Sequence, residues 1–240
     1  MIRTAVAGVM AAAMVMTASA AIAQDAVYDE IVVTGSRAIE WDPDDVPVIQ
    51  LARRADNLIV EVVAVNDTRE AGQRRQELIQ TLRGMARAAE GRTDIDLSIE
   101  DDGTLVPLTE DMVSTLTLGV DPGRSDTSRA TLIVKTPIRA DDTLDAASGR
   151  IEGFVDEAQT TGRTLVTVSG DWELSIVNPP QYRAAILDLI ADDARTTATT
   201  FGSDYAVQVE GMSNRVTWRQ SGPLDLSLFI PYELTVTPKP

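Results

Sequence analysis

Two hydrophobic periods interleave along this chain, and that alternation constrains the fold more than any other feature. Three segments carry apolar residues at the spacing of one helix face, and between them run segments that alternate every second residue, as half-buried strands do. The first helical stripe is Leu78, Ile79, Leu82, Met85, Ala86 and Ala89. Asp67-Thr68-Arg69-Glu70 ahead of it has capping-box spacing, which predicts a helix opening there and running to about Glu90, with Gly91 as its stop. The second stripe follows Asp141-Asp142 with Leu144, Ala147, Ile151, Phe154, Val155 and Ala158 and is expected to end near Gly162; Gly149 and Gly153 weaken it. In the third, Asn178 is a cap, Pro179 suits the first turn, and Tyr182, Ala185, Ile186, Leu189, Ile190 and Ala194 line one face until Gly202. Each stripe is narrow and backed by Arg and Asp, so each is read as facing a core.

Strand periodicity covers residues 58–65, 95–99, 130–138, 164–177, 205–212 and 224–236. Pro231 interrupts the last of these and marks an edge position or a bulge. Asp94, Asp96, Ser98 and Glu100 form the wet face of a strand whose dry face is Ile95, Leu97 and Ile99. Residues 101–128, rich in Asp, Gly, Thr and Ser, read as a long irregular insertion. The element order predicts an α+β domain with about three helices packed on a mostly antiparallel sheet. An N-terminal segment, 24–57, precedes that domain, which takes in 58–240.

One internal echo bears on the N-terminal segment. With Gly35 set against Gly170, Ile31 matches Val166, Val33 matches Val168, Ile39 matches Leu174 and Trp41 matches Ile176. Two strands with one pattern imply one structural job, with glycine marking a bulge or a close backbone approach.

Residues 1–23 carry a single basic residue, Arg3, then an Ala/Val/Met-rich stretch and Ala21-Ile22-Ala23. This is the pattern of a secretory signal peptide, with cleavage expected before Gln24. The mature chain would then set 20 basic residues against 37 acids, a net charge of -17. A surface that acidic repels nucleic acid and anionic lipid headgroups, so neither is expected as a partner, and no stable membrane insertion is expected. Lys135 and Lys239 are the only lysines, an arginine bias typical of a high-GC bacterial genome, which makes the periplasm the expected compartment.

The chain holds no cysteine and no histidine. Packing must therefore stabilise it without disulfides, and an acylated-cysteine anchor is excluded. Ser-His-Asp and Cys-His catalysis, His-ligated zinc and imidazole proton transfer are excluded too. There is no G-x-S-x-G, P-loop or G-x-G-x-x-G motif. Acids at Asp42, Asp44 and Asp45 and at Glu100, Asp101 and Asp102 lack calcium-loop spacing and read as solvated turns. Asp171 and Glu173 flank Trp172 in a way that would suit a carboxylate hydrolase, but the spacing fits ordinary strand alternation. Lys135, inside an apolar run, reads as a lysine snorkelling from a sheet edge. The Asn66-Asp67-Thr68 sequon reads as chance. No catalytic residue, cofactor or metal is expected, and the chain is read as a non-enzyme.

The segments "IVVTGSRAIEWDPD" (31–44), "LIVEVVAVNDTREAGQRRQELIQTLRGM" (58–85) and "YRAAILDLIADDARTTATTFG" (182–202), with a closing "YELTVT", resemble the SIMPL-domain proteins. The likeness covers most of the mature chain and departs at Asp45 to Asn57, where the family passes more directly to the next strand. It implies an exported bacterial envelope protein, α+β in fold, often oligomeric, with no established catalytic residues; self-association and a role in envelope stress are the expectations it carries.

The stretch "EIVVTGSR" (30–37) is also similar to the TonB box of outer-membrane TonB-dependent receptors. In those receptors such a segment adds a strand to the TonB C-terminal sheet. That likeness makes Glu30, Ile31, Val32, Val33, Thr34 and Gly35 candidate partner-binding residues, with the TonB C-terminal domain as partner. The receptors' plug and 22-stranded barrel need far more than these residues. The alternation of Ile31, Val33, Ile39 and Trp41 runs past the end of a docking peptide, which sets a first-strand reading ahead of it while both stand.

Overall fold

The computed structural model describes residues 30–33, 47–101 and 104–240. In chain order the elements are β1 (Glu30–Val33), β2 (Leu51–Arg54), β3 (Asn57–Asn66), α1 (Ala71–Glu90), β4 (Asp96–Asp101), β5 (Thr104–Pro107), β6 (Gly119–Asp121), β7 (Arg124–Pro137), α2 (Leu144–Asp156), β8 (Thr164–Val177), α3 (Arg183–Phe201), β9 (Tyr205–Glu210), β10 (Thr217–Gln220), β11 (Asp225–Phe229) and β12 (Glu233–Pro238). The fold is α+β, with three helices on antiparallel sheets.

β3 lies at the centre of the largest sheet, a seven-stranded one ordered β1-β8-β3-β7-β4-β5, with β6 also on β7. Leu58, Ile59, Val60, Val62, Val63 and Ala64 are all buried, so β3 is apolar on both pleat faces, as a strand covered on both sides must be. A second sheet has the order β10-β11-β2, which pairs part of the 24–57 segment with a late strand. The third is a two-stranded ribbon of β9 and β12.

Two cores follow from this layering. In the first, Leu78, Leu82 and Met85 of α1 and Ile151 and Phe154 of α2 pack on Val60, Val62, Leu132 and Val134 of the large sheet. Each such fully buried side chain stabilises the fold by roughly 1.5–3 kcal/mol. In the second, Ile186 and Ile190 of α3 meet Leu58, Leu174, Ile176, Leu226 and Leu228. Trp172 packs against both. It reaches them from a bulge: the β3–β8 register passes from Ile59 opposite Glu173 to Glu61 opposite Ser169, leaving three β8 residues against Val60 alone. Gly170 opens that bulge with φ +82°, the left-handed conformation that glycine takes without strain.

α1 and α3 stop at the expected glycines, Gly91 and Gly202, but the other helix ends depart from the expected ones in physical detail. α1 is capped by Glu70, whose carboxylate accepts from the backbone N–H groups of Gly72 and Gln73 at 2.9 and 2.5 Å. Asp67, the expected first residue of a capping box, instead pairs with two arginines. Thr143 caps α2 by accepting from the Ala146 N–H at 3.2 Å, and the helix stops at Asp156, well before Gly162. Asn178 is not the cap of α3; it sits at φ 49° with no capping bond, and a 3-10 turn, Pro179–Tyr182, precedes the helix. On α3 itself Ile186 and Ile190 are buried, but Ala185 is exposed and Leu189 is 39% exposed. The second core admits one row of the helix, and the adjacent row of the expected stripe faces outward.

Residues 101–128 are not an irregular insertion throughout: β5 forms a hairpin with β4, Met112–Thr115 is a 3-10 turn, and β6 and the start of β7 pair with each other. The strand expected over 224–236 is two strands in different sheets, with Pro231 in the connection. Lys135 is on interior strand β7, not at an edge, and its ammonium lies 3.5 Å from Asp96 of β4.

Candidate functional site

The carboxylates most perturbed by their surroundings lie where elements meet. Glu77 of α1 accepts from Thr68 Oγ1 at 2.6 Å, Asn66 Nδ2 at 2.9 Å, Gln73 Nε2 at 2.8 Å and the Arg163 N–H at 3.3 Å. These donors, Thr68 and Asn66 foremost, hold its carboxyl down to about 2. Asp67 is held well below the usual carboxylate range by hydrogen bonds from Arg163 and Arg124. Asp142 is lowered to about 2, first by Arg150, whose Nη1 and Nη2 reach it at 2.9 and 2.6 Å. Strongly lowered, donor-saturated carboxylates are poor proton-transfer groups near neutral pH. Their geometry staples β3, α1, β7 and β8 together.

Asn66 is 0% exposed and its amide donates to both Glu77 and Thr164, at 2.9 and 2.8 Å. The sequon nitrogen is thereby closed to modification in the folded chain. Asp171 and Glu173 sit at the bulge, Asp171 exposed and Glu173 half-buried, and the Trp172 between them packs into the cores. Glu100 and Asp101 are at the β4–β5 hairpin, with Asp101 and Glu100 exposed; Asp102 and the acids at 42, 44 and 45 lie outside the described residues. Among the described residues no three carboxylates gather as metal ligands, and no helix is long and apolar enough to cross a membrane.

Of the candidate partner-binding residues, Glu30, Ile31, Val32 and Val33 form β1, which pairs antiparallel with β8: Glu30 opposite Val177, Ile31 opposite Ile176, Val32 opposite Ser175 and Val33 opposite Leu174. Thr34 and Gly35 lie outside the described residues, as do Ile39 and Trp41 of the echo. Among the described strands β1 has no second neighbour, so it forms one edge of the large sheet.

β5 is the opposite edge of that sheet and β10 and β2 are the edges of the second, while in the ribbon both strands are edges. Residues Tyr205, Val207 and Val209 of β9 stand opposite Pro238, Val236 and Leu234 of β12 and form its apolar face. α3 packs on β9, leaving a shallow groove of about 420 Å³ lined by Ala194, Arg195, Ala198, Tyr205, Ala206, Val207 and Lys239. At its end Phe201 and Tyr205 are 51% and 40% exposed, with ring centroids 5.8 Å apart. The opposite face carries Gln208, Glu210, Glu233, Thr235 and Thr237, all exposed. Neither β9 nor β12 has a third strand beside it among the described residues. A two-stranded ribbon is marginal alone, so these edges have less sheet behind them than those of the two larger sheets.

Alternation identified these as strands, and Pro231 alone pointed to an edge position or a bulge in the last of them. Alternation encodes which face of a strand is dry; it does not encode whether the backbone on its far side is paired. No family model, no curated protein and no solved structure matches the chain.

Proposed function

We propose that this is a non-enzymatic envelope protein of the SIMPL-like type, exported to the periplasm, which acts through protein–protein contacts and self-association in the setting of envelope stress. The observation that carries the reading is the unpaired ribbon edge, where backbone donors and acceptors stand ready for another strand. The export pattern of residues 1–23 and the lack of histidine and cysteine agree with it, and the lowered carboxylates are committed to internal hydrogen bonds. Light scattering during size-exclusion chromatography tests it: mass rising with concentration to a defined oligomer supports the reading, and a strict monomer at every concentration sinks it.

A second reading, docking of residues 30–35 to the TonB C-terminal domain, is favoured by one observation: β1 is an edge strand, whose outer side could take a further strand. Hydrogen exchange and a binding titration test it. Strong protection of Ile31 to Val33 in the free protein, together with no TonB binding, removes it.

A further inference from the structure

We infer that the β12 edge is the self-association site and that it pairs with the same edge of a second copy of this chain, giving a continuous four-stranded β9-β12-β12-β9 sheet about a two-fold axis at Thr235. The inference rests on the self-association reading above and specifies its interface.

The backbone sets which residues can reach outward. Lys239 N–H donates to Asp204 O at 2.7 Å, continuing the register in which Pro238 faces Tyr205 and Glu233 faces Glu210. Antiparallel ladders alternate hydrogen-bonded and non-hydrogen-bonded pairs. Thr237, Thr235 and Glu233 therefore bond inward to β9, whereas the N–H and C=O groups of Leu234 and Val236 point away from it. Pro238 falls on an outward position too, where its missing N–H breaks no bond to β9.

An antiparallel β12–β12 pairing centred on Thr235 sets Leu234 opposite Val236 of the other copy, twice. Those pairs would satisfy all four outward N–H groups of Leu234 and Val236 in the two strands. Their side chains, half-buried in one copy, would meet on the apolar face, because edge-to-edge pairing about a two-fold keeps like faces together. Pro238 limits the ladder, since pairing shifted along the strand would place it where a donor is needed.

Charge selects this edge over its neighbour. Within the ribbon Glu233 stands directly opposite Glu210, a like-charge pair with no ion-pair partner among the described residues. In the Thr235-centred pairing, Glu233 faces Thr237 of the other copy and is diagonal to its Lys239, within reach of a long side chain. The same construction on β9, centred on Gln208, would set Glu210 opposite Ala206 of the other copy and diagonal to its Asp204, a like-charge diagonal at each end where β12 offers Lys239.

The test uses the absence of cysteine from the chain. Thr235→Cys places one thiol of each copy at the two-fold axis, in a non-hydrogen-bonded pair with Cα separation of about 4.5 Å, within disulfide reach. Thr237→Cys places them four positions out of register, about 13 Å apart along the strand. Under mild oxidation Thr235→Cys is expected to give a covalent dimer at least tenfold faster than Thr237→Cys. Val236→Pro, which removes an outward N–H only, is expected to raise the dimer dissociation constant at least tenfold with the circular dichroism spectrum retained. If the wild-type protein associates but Thr235→Cys cross-links no faster than Thr237→Cys, this interface is overturned and the self-association reading survives. A wild-type protein that is monomeric throughout, with neither variant cross-linking, overturns both.

Discussion

Asp67 and Arg163, 96 residues apart, are joined by two hydrogen bonds: Arg163 Nε donates to Oδ1 at 2.5 Å and Nη2 to Oδ2 at 2.9 Å. Arg124 Nη1 adds a third at 2.9 Å. One carboxylate thus ties the turn after β3 to the start of β7 and the approach to β8. Because both arginines are more than half exposed, water competes for these contacts and the stabilisation per contact is small. Asp67→Asn is expected to lower the melting temperature slightly, with the loss shrinking in high salt; thermal unfolding at two ionic strengths measures it.

The Asp142–Arg150 pair differs because its side chains are 7% and 13% exposed. Arg150 also donates to Thr136 Oγ1 at 3.0 Å and Pro137 O at 2.8 Å, and Asp142 accepts from the Arg139 N–H at 2.7 Å. Removing the carboxylate leaves a poorly hydrated guanidinium facing α2 and the end of β7. Asp142→Ala is expected to destabilise by about 3 kcal/mol, the scale for breaking a buried pair, and to lower the melting temperature by roughly 6–12 °C. A loss no larger than that of Asp67→Asn would contradict the burial argument.

Acid should unfold the protein through these same groups. The folded-state values of Glu77 and Asp142, both about 2, lie below their ordinary values of 4.5 and 3.8. The unfolded chain therefore binds more protons in this range, so stability is fully present above pH 4.5 and is lost as pH falls toward 2. Urea midpoints measured from pH 7 to pH 2 should be flat at first and then fall through that window. Glu77→Gln should start from a lower midpoint and fall less steeply.

The α1 stripe and both ends of β8 were legible from pattern alone, because one buried face and one period suffice to specify them. The bulge at Gly170 was legible in the echo with Gly35, though that first glycine lies outside the described residues. Asp67 was not: an aspartate oxygen can cap a helix or pair with arginine, and the choice was made by Arg124 and Arg163, far away in sequence. β5 and β6 were missed because strands of four and three residues are too short to show apolar alternation. Pro231 hinted at an edge or a bulge in the 224–236 run, but not that the run divides between two sheets, because pairing partners are a tertiary property; α3 illustrates the same limit on the scale of one helix turn.

Ile186 and Leu189 stand on adjoining rows of α3, and the sequence stripe treats them alike. Ile186 is 0% exposed against the second core, while Leu189 is 39% exposed. Ile186→Ala should destabilise by roughly 2–5 kcal/mol through lost burial and a residual cavity. Leu189→Ala should change stability by less than about 0.5 kcal/mol, as surface substitutions do. Denaturant melts of the two variants decide this, and equal losses would mean that α3 is rotated from its described seating.

Gly162 and Gly170 separate backbone strain from crowding. Both have left-handed backbone, φ +61° and +82°. A Cβ on Gly170 meets nothing within 4 Å, so Gly170→Ala carries only the conformational penalty, about 1 kcal/mol. A Cβ on Gly162 would lie 2.1 Å from the Glu77 carboxylate, which is itself held by Thr68 and Asn66 and cannot swing aside without breaking those bonds. Gly162→Ala is therefore expected to destabilise at least twice as much as Gly170→Ala. A double-mutant cycle identifies the cause: on a Glu77→Ala background the excess should vanish, leaving the two alanine substitutions equal, and an excess that persists would place the strain in the backbone instead.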